Sequence, residues 1–372
     1  MCLELPRIDR GRPCSPGAGE RQPRRPSPGA PLRPGAGAAS RGRFGASVIR
    51  TGAALPGRRG RPIESRRAYE PPRRGDVDTM STRPSEDRPS RKGNWLSWKW
   101  FRLRKEIYQR AGLASGRPRR ILMIVGCQRS GTTMMNDLFL LDWSAKIYRE
   151  MSSLSSEDLD ENLRLDPIDK VRRALASHRV PLVVFKPLVE SQNLSRLLEE
   201  LPGSKALWMY RHYKDVVHSN LKKFGERNGI VDIGPVARGE TTGWRAEKVS
   251  EETRALVRRF YSESMNPHDA AALFWYMRNR FYGDLALAKD PRVLLCRYED
   301  MVTDPGAFMR RIYSFVELPY PGDRIVAPVH PRSVRKGKDV PLSPEVVAEC
   351  ERLWGELEGA YAASRRGGDP GR

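Results

Sequence analysis

No run of apolar residues in the chain approaches the ~18 needed to cross a bilayer, and no apolar core of a secretory signal lies near residue 1. A cytoplasmic protein is therefore expected. Cysteine is scarce: Cys2, Cys14, Cys127, Cys296 and Cys350 make up the whole set of five, and no pair has metal-ligand spacing. A disulfide scaffold is excluded, and reduced thiols are expected, two of them (Cys127 and Cys296) at strand ends. The five histidines are scattered as well, His212 and His218 six residues apart and His178, His268 and His330 in separate stretches. With no cluster of histidine, cysteine and carboxylate, no metal is expected. Lysine is missing from residues 1–79, where seventeen arginines face seven acidic residues.

That last absence marks a boundary. Residues 1–79 carry a net charge of +10 and residues 80–120 another +9, which leaves +3 of the total +22 for everything after. The basic excess belongs to the N-terminal third, so it gives no support to nucleic-acid binding by the folded part. Residues 1–79 are Arg-, Pro-, Gly- and Ala-rich without apolar periodicity. They cannot bury enough surface to offset chain entropy and are expected to be a disordered tail. Arginine without lysine is also what translated GC-rich upstream sequence gives, so Met80 is a second candidate start.

Residues 80–119 form a basic, tryptophan-rich amphipathic segment. Within 93–110, Leu96, Trp100, Leu103 and Ile107 fall on one helical face among many cations. That face is expected to pack on the main domain. The other use of such a helix is weak contact with an anionic membrane surface.

From residue 120 to about 361 the pattern alternates between strand and helix, with 362–372 read as a second disordered tail. Strands are expected at 121–125, 146–149, 181–185, 205–210 and 292–297. Helices are expected over 132–141, 158–177, 192–200, 214–224, 268–288, 304–316 and 344–361, with a long loop over 225–250. This is the signature of an α/β, P-loop-type three-layer fold, a central and mainly parallel sheet flanked by helices.

The centre of that pattern is Ile121-Leu-Met-Ile-Val-Gly-Cys-Gln-Arg-Ser-Gly-Thr-Thr-Met-Met135. A buried strand runs into a glycine-bracketed turn and then a helix. Such a turn aims backbone N–H groups and the positive end of the helix at one point, which suits a phosphate. The triphosphate loop G-x-x-x-x-G-K-[ST] has a lysine where this chain has Thr132, and the loop's one cation is Arg129. A γ-phosphate and Mg²⁺ are poorly served here. A second motif follows the fourth strand: Arg211 leaves the strand end, and Ser219 follows eight residues later, two turns into the next helix. A guanidinium and a hydroxyl so placed can grip another phosphate. A third is the basic turn Ser333-Val-Arg-Lys-Gly-Lys338 ahead of the last helix.

Together these stretches resemble the sulfotransferase superfamily that uses 3′-phosphoadenosine 5′-phosphosulfate, over about Arg120 to Trp354. The R-S-G-T-T loop is similar to the family's 5′-phosphosulfate loop, and Arg211 with Ser219 to its 3′-phosphate motif. Arg297-Tyr-Glu-Asp-Met-Val resembles its late strand and turn, which is read as architecture. The resemblance is nearest to the tyrosylprotein sulfotransferase-like branch. Arg129 to Glu150 is twenty-one residues and Arg211 to Ser219 eight, as in that branch, and Phe185-Lys-Pro187 is similar to its strand-ending lysine. Residues 225–268 resemble no branch.

The resemblance implies that Arg129, Ser130, Gly131, Thr132 and Thr133 hold the 5′-phosphate, and that Arg211, Ser219, Arg335, Lys336 and Gly337 hold the 3′-phosphate. It makes Arg129 and Lys186 the groups that meet charge on the leaving oxygen, and Glu150 the general base on a hydroxyl or amine acceptor. No metal is needed. Two alternatives stay open: a P-loop kinase-like enzyme, and a non-catalytic nucleotide-binding or membrane-associated protein that kept the fold.

Overall fold

The computed structural model describes residues 95–111, 118–157, 163–330, 334 and 336–366, with side chains from residue 99 onward. The expected tail over 1–79, the alternative start at Met80, Arg335, and 367–372 lie outside the described residues.

The elements begin with α1 (Trp95–Arg110), β1 (Arg120–Gly126), α2 (Thr132–Leu140), β2 (Ala145–Tyr148), the hairpin β3 (Ser155–Glu157) and β4 (Leu163–Leu165), α3 (Ile168–Ala176) and β5 (Leu182–Phe185). A 3₁₀ turn then leads into α4 (Leu194–Glu200), β6 (Ser204–Tyr210) and α5 (Tyr213–Phe224). Three helices follow, α6 (Asn228–Ala237), α7 (Gly243–Ala246) and α8 (Glu251–Phe260), before the long α9 (Pro267–Asp284). β7 (Val293–Arg297), α10 (Tyr298–Thr303), α11 (Pro305–Phe315) and α12 (Pro344–Arg366) are the last strand and helices of the described residues.

Among the described residues, β2-β5-β1-β6-β7 form one sheet, and every pairing in it is parallel. β1 sits in the middle, and its continuous apolar run is what a strand covered on both faces requires. The two-residue period divides that run between layers. Met123 and Val125 enter the core beneath α9 and α12, while Leu122 and Ile124 face α2 and α11. The chain leaves β1 for β2 and β5 on one side and then crosses to β6 and β7 on the other. The carboxyl end of β1 is thus the point where strand order reverses, the usual ligand crevice of an open α/β sheet.

Several expectations need correction. The helix expected over 158–177 begins only at Ile168. Pro167 is the N-cap of α3, and its ring disfavours helical backbone in Asp166, so the helix starts after it. Ahead of it the β3–β4 hairpin is tied down by Arg164, which pairs with buried Glu190 at 2.8 Å and with Glu247 at 3.1 Å. The loop expected over 225–250 is largely helical. Asp232 is buried there and accepts from Arg245 Nε and Asn228 Nδ2, both at 2.7 Å. The buried Arg254 guanidinium meanwhile donates to the carbonyls of Glu240, Ala246 and Val249. Helix α9 stops at Asp284 rather than 288, and α12 runs on to Arg366, into the stretch expected to be a tail.

Helix α1 is also oriented opposite to expectation. Trp100, Leu103 and Ile107 point outward at 60, 47 and 57% exposure, while Lys105 is buried. Among the described residues no helix is long and apolar enough to cross a membrane.

Candidate active site

Gly126 ends β1 at φ 116°, and a Cβ there would lie 2.3 Å from the carbonyl oxygen of Met209 on β6. Only glycine lets the two strands stay paired while the chain turns. Its N–H donates to Ser191 Oγ at 3.1 Å, which fixes the start of the turn from the β5 side. Two more left-handed residues follow, Arg129 at φ 65° and Gly131 at φ 88°. A Cβ on Gly131 would be 2.3 Å from the ring of Tyr298. As the N-cap of α2, Gly131 offers no side chain to the first-turn N–H groups, which are left for a ligand. Ser130 and Thr132 are buried and Thr133 is half-buried.

The second motif closes on the first. Arg129 Nε donates to Ser219 Oγ at 3.0 Å, and Arg211 Nη1 donates to the carbonyl of Arg129 at 3.4 Å. Two guanidinium groups therefore share one pocket. Burial, and next the positive charge of Arg211, lower the affinity of Arg129 for its proton below the ordinary arginine value, although it remains a cation at neutral pH. An anion between them would relieve that repulsion. Arg211 is held in turn by Asp215, 3.3 Å away, and its guanidinium lies 4.3 Å from the centre of the Tyr298 ring. The end of β6 is pinned from behind, where the buried Trp275 of α9 donates its indole N–H to the Arg211 carbonyl at 2.9 Å.

The basic turn reaches this assembly through its backbone. Gly337 N–H donates to Asp215 Oδ1 at 2.9 Å, and a Cβ at 337 would be 2.1 Å from the Lys214 carbonyl. Lys336 is exposed. A cavity of about 480 Å³ opens beside the turn, bordered by His212, Lys214, Arg297, Asp300, Lys338 and Trp354. His212 caps α5, its Nδ1 accepting from Lys214 N–H at 3.3 Å, and burial lowers its pKa below the ordinary histidine value. Burial also raises the carboxyl of Glu299, which accepts the His212 N–H at 3.1 Å.

On the other side of β1, Lys186 stands just past the end of β5 and Glu150 two residues past the end of β2. Their side chains pair at 3.0 Å, 10 and 22% exposed respectively. Lys186 Nζ also reaches Thr133 Oγ1 at 3.5 Å, so one ammonium bridges the carboxylate and the loop helix. Backbone bonds fix both partners: Lys186 N–H donates to the Tyr148 carbonyl at 3.1 Å, and Ser155 Oγ donates to that of Glu150 at 2.7 Å.

The fold thus brings Arg129, Gly131, Thr133, Glu150, Lys186, Arg211 and Ser219 to one edge of the sheet. It sets the backbone of Gly337 against Asp215. The sequence reading missed Tyr298 and Asp215. Tyr298 was legible as the aromatic closing the strand beside β6, but its Arg-Tyr-Glu-Asp setting was read as architecture. Among the described residues, no group of three or more His, Cys, Asp or Glu side chains is placed to hold a metal. Burial pushes the thiols of Cys127 and Cys296 up to about 12, so neither is a nucleophile at neutral pH.

A profile of the sulfotransferase domain matches residues 119–347, more than half of the chain. No curated protein sequence matches it. Among solved structures, the sulfotransferase domain of the Synechococcus PCC 7002 olefin synthase is similar, with 18% identity, 65% of this chain and 95% of that one covered, and a TM-score of 0.40. A sulfotransferase from Alicyclobacillus acidocaldarius has 16% identity, coverage of 67 and 95%, and a TM-score of 0.37. A mouse sulfotransferase complexed with PAP has 12% identity, coverage of 62 and 70%, and a TM-score of 0.29. The match to the domain profile covers the phosphate loop, the Arg211–Ser219 motif and the basic turn, and the chain belongs to the sulfotransferase family, enzymes that take their sulfuryl group from 3′-phosphoadenosine 5′-phosphosulfate.

Proposed function

We propose that this enzyme moves the sulfuryl group to a hydroxyl or amine acceptor at the carboxyl end of β1, with Glu150 as general base and Arg129 and Lys186 as electrostatic catalysts. The observation that carries this reading is the bridge from Glu150 through Lys186 to Thr133. It ties a carboxylate to the loop that would hold the donor's 5′ end.

The residues fit the donor. Left-handed backbone at Arg129 and Gly131, with an uncapped α2 N-terminus, suits one phosphate. Arg211 and Ser219 suit the other, assisted by Lys336, Gly337 and Arg335. The bound donor supplies an activated sulfuryl group on a nucleotide leaving group. Glu150 would take the acceptor's proton as its oxygen or nitrogen bonds to sulfur. Arg129 would counter the charge that collects on the bridging oxygen, and Lys186 would stabilise the same oxygen from the β5 side. The Lys186 ammonium also holds the Glu150 side chain in place through their 3.0 Å ion pair. Positioning and charge stabilisation suffice, and no step requires a metal.

One paired experiment tests both halves. Thermal unfolding with adenosine 3′,5′-bisphosphate at about 100 times its Kd should gain about 2.7 kcal/mol of stability, and ADP or ATP with Mg²⁺ should give much less. Glu150→Gln should keep that gain and lose on the order of 10²–10⁴-fold in turnover. Stabilisation only by ATP with Mg²⁺ would favour the kinase-like alternative. Unchanged turnover in Glu150→Gln would remove the base assignment while leaving donor binding intact.

A further inference from the structure

Helix α1 is attached to the domain by its polar side. Lys105, buried, donates Nζ to the Leu140 carbonyl at 2.8 Å. Gln109 Nε2 donates to the carbonyls of Trp143 and Ala145 at 2.9 and 3.1 Å. Phe101 and Tyr108 set their edges on the Trp143 ring, with centroids 6.2 and 5.7 Å apart. These contacts occupy the face that repeats as 101, 105, 108 and 109. They fix the helix in rotation about its axis.

The opposite face is then held outward. Trp100, Leu103 and Ile107 lie within about 60° of arc on it, all about half exposed or more. Burying a lysine while leaving a tryptophan, a leucine and an isoleucine in water inverts the normal economy of an amphipathic helix. A contiguous apolar stripe of this kind marks a surface with a partner. The charge around it identifies the partner. By helical spacing Arg104 flanks the stripe on one side and Lys99 and Arg110 on the other. Lys146 and Arg179 line the adjoining groove between α1 and β2. The acid within residues 99–111 is Glu106, which pairs with Arg110 at 2.6 Å.

We propose that the outward face of α1 docks on an anionic phospholipid surface. Trp100, Leu103 and Ile107 would insert at the level of the headgroups and acyl boundary, with Lys99 and Arg104 contacting lipid phosphates. Apolar insertion and cation attraction act together in such helices, and each cation near an anionic surface strengthens binding about five-fold. The sulfotransferase domain would thereby be held at a membrane through one helix fixed to its surface.

The test is flotation of the full chain with vesicles of phosphatidylcholine alone and of phosphatidylcholine with phosphatidylglycerol. The expected result is flotation with the anionic vesicles, little with the neutral ones, and release as salt rises from about 0.1 to 0.5 M. The triple variant Trp100→Ser/Leu103→Ser/Ile107→Ser should partition on the order of ten-fold less with an unchanged Tm. Arg104→Gln should partition about five-fold less, and it decides the matter should the triple variant lose stability. Absence of flotation by the parent chain overturns the proposal. Undiminished flotation of both variants overturns it too, because the binding would then belong to the basic residues upstream. If neither protein floats and light scattering finds the parent dimeric and the triple variant monomeric, the face is an interface between copies instead.

Discussion

The loop after β1 and the helical segment α6–α8 are built on different principles. In the loop, backbone does the holding. Gly126 lies against the Met209 carbonyl, Gly131 against the Tyr298 ring, and Arg129 keeps a positive φ. In α6–α8, side chains do it. Asp232 gathers Asn228 and Arg245, and Arg254 closes three carbonyls that the short helices leave open. A backbone-built site demands particular residues at particular spacings, whereas a side-chain network can be assembled from many. Chemistry is therefore expected to be sensitive in the first region and stability in the second.

The largest expected effect is on turnover. Arg129→Asn, chosen because asparagine tolerates left-handed backbone, should lower kcat by about 10²–10³-fold with little change in Tm, read by donor-saturated assay and thermal unfolding. If Asp232→Ala lowers kcat equally, the contrast between the regions fails. Next, Gly126→Ala should cost about 3 kcal/mol, since its Cβ meets backbone that cannot move without unpairing β1 from β6. Denaturant unfolding would show it as a lower midpoint at constant slope.

Asp232→Ala should cost about 2 kcal/mol, because it leaves the half-buried Arg245 and Asn228 donors without their acceptor, while the affinity for adenosine 3′,5′-bisphosphate stays unchanged by calorimetry. The smallest effect concerns His212. Its folded pKa lies below the unfolded value of about 6.5, so the unfolded chain takes up the proton first. Stability is then full above about pH 6.5 and lost as pH falls through that value towards the folded pKa. Protonation also spoils the Nδ1 cap of α5. His212→Asn retains a cap acceptor and should flatten the decline in Tm between pH 7.5 and 5.5, a difference of about 1 kcal/mol.

Much of the centre could be read in advance because its constraints are local. Five apolar residues in a row predict a strand covered on both faces, and the pair Gly126 and Gly131 predicts a phosphate turn. Arg211 and Ser219 were legible as a spacing, yet their meeting with Arg129 was not, since it depends on β6 lying beside β1. The region 225–250 reads as loop because its glycines, Pro235 and polar residues mask short helices that are held by the side-chain bonds of Asp232 and Arg254 to neighbouring turns. The reversed orientation of α1 was equally hidden. Periodicity finds an apolar face, but the hydrogen bonds of Lys105 and Gln109 decide which face turns inward.

By itself the sequence determined the strand–loop–helix unit, the absence of the nucleotide-loop lysine, and the spacing of the glycine loop, the Arg211–Ser219 pair and the basic turn, because each follows from residue type and position along the chain. Only the tertiary structure decided that Arg129 faces Ser219, that Lys186 joins Glu150 to Thr133, that Tyr298 closes the loop, and that the apolar stripe of α1 faces outward. Those depend on which strands become neighbours, and strand order is set by packing both faces of the sheet at once, which no local stretch encodes.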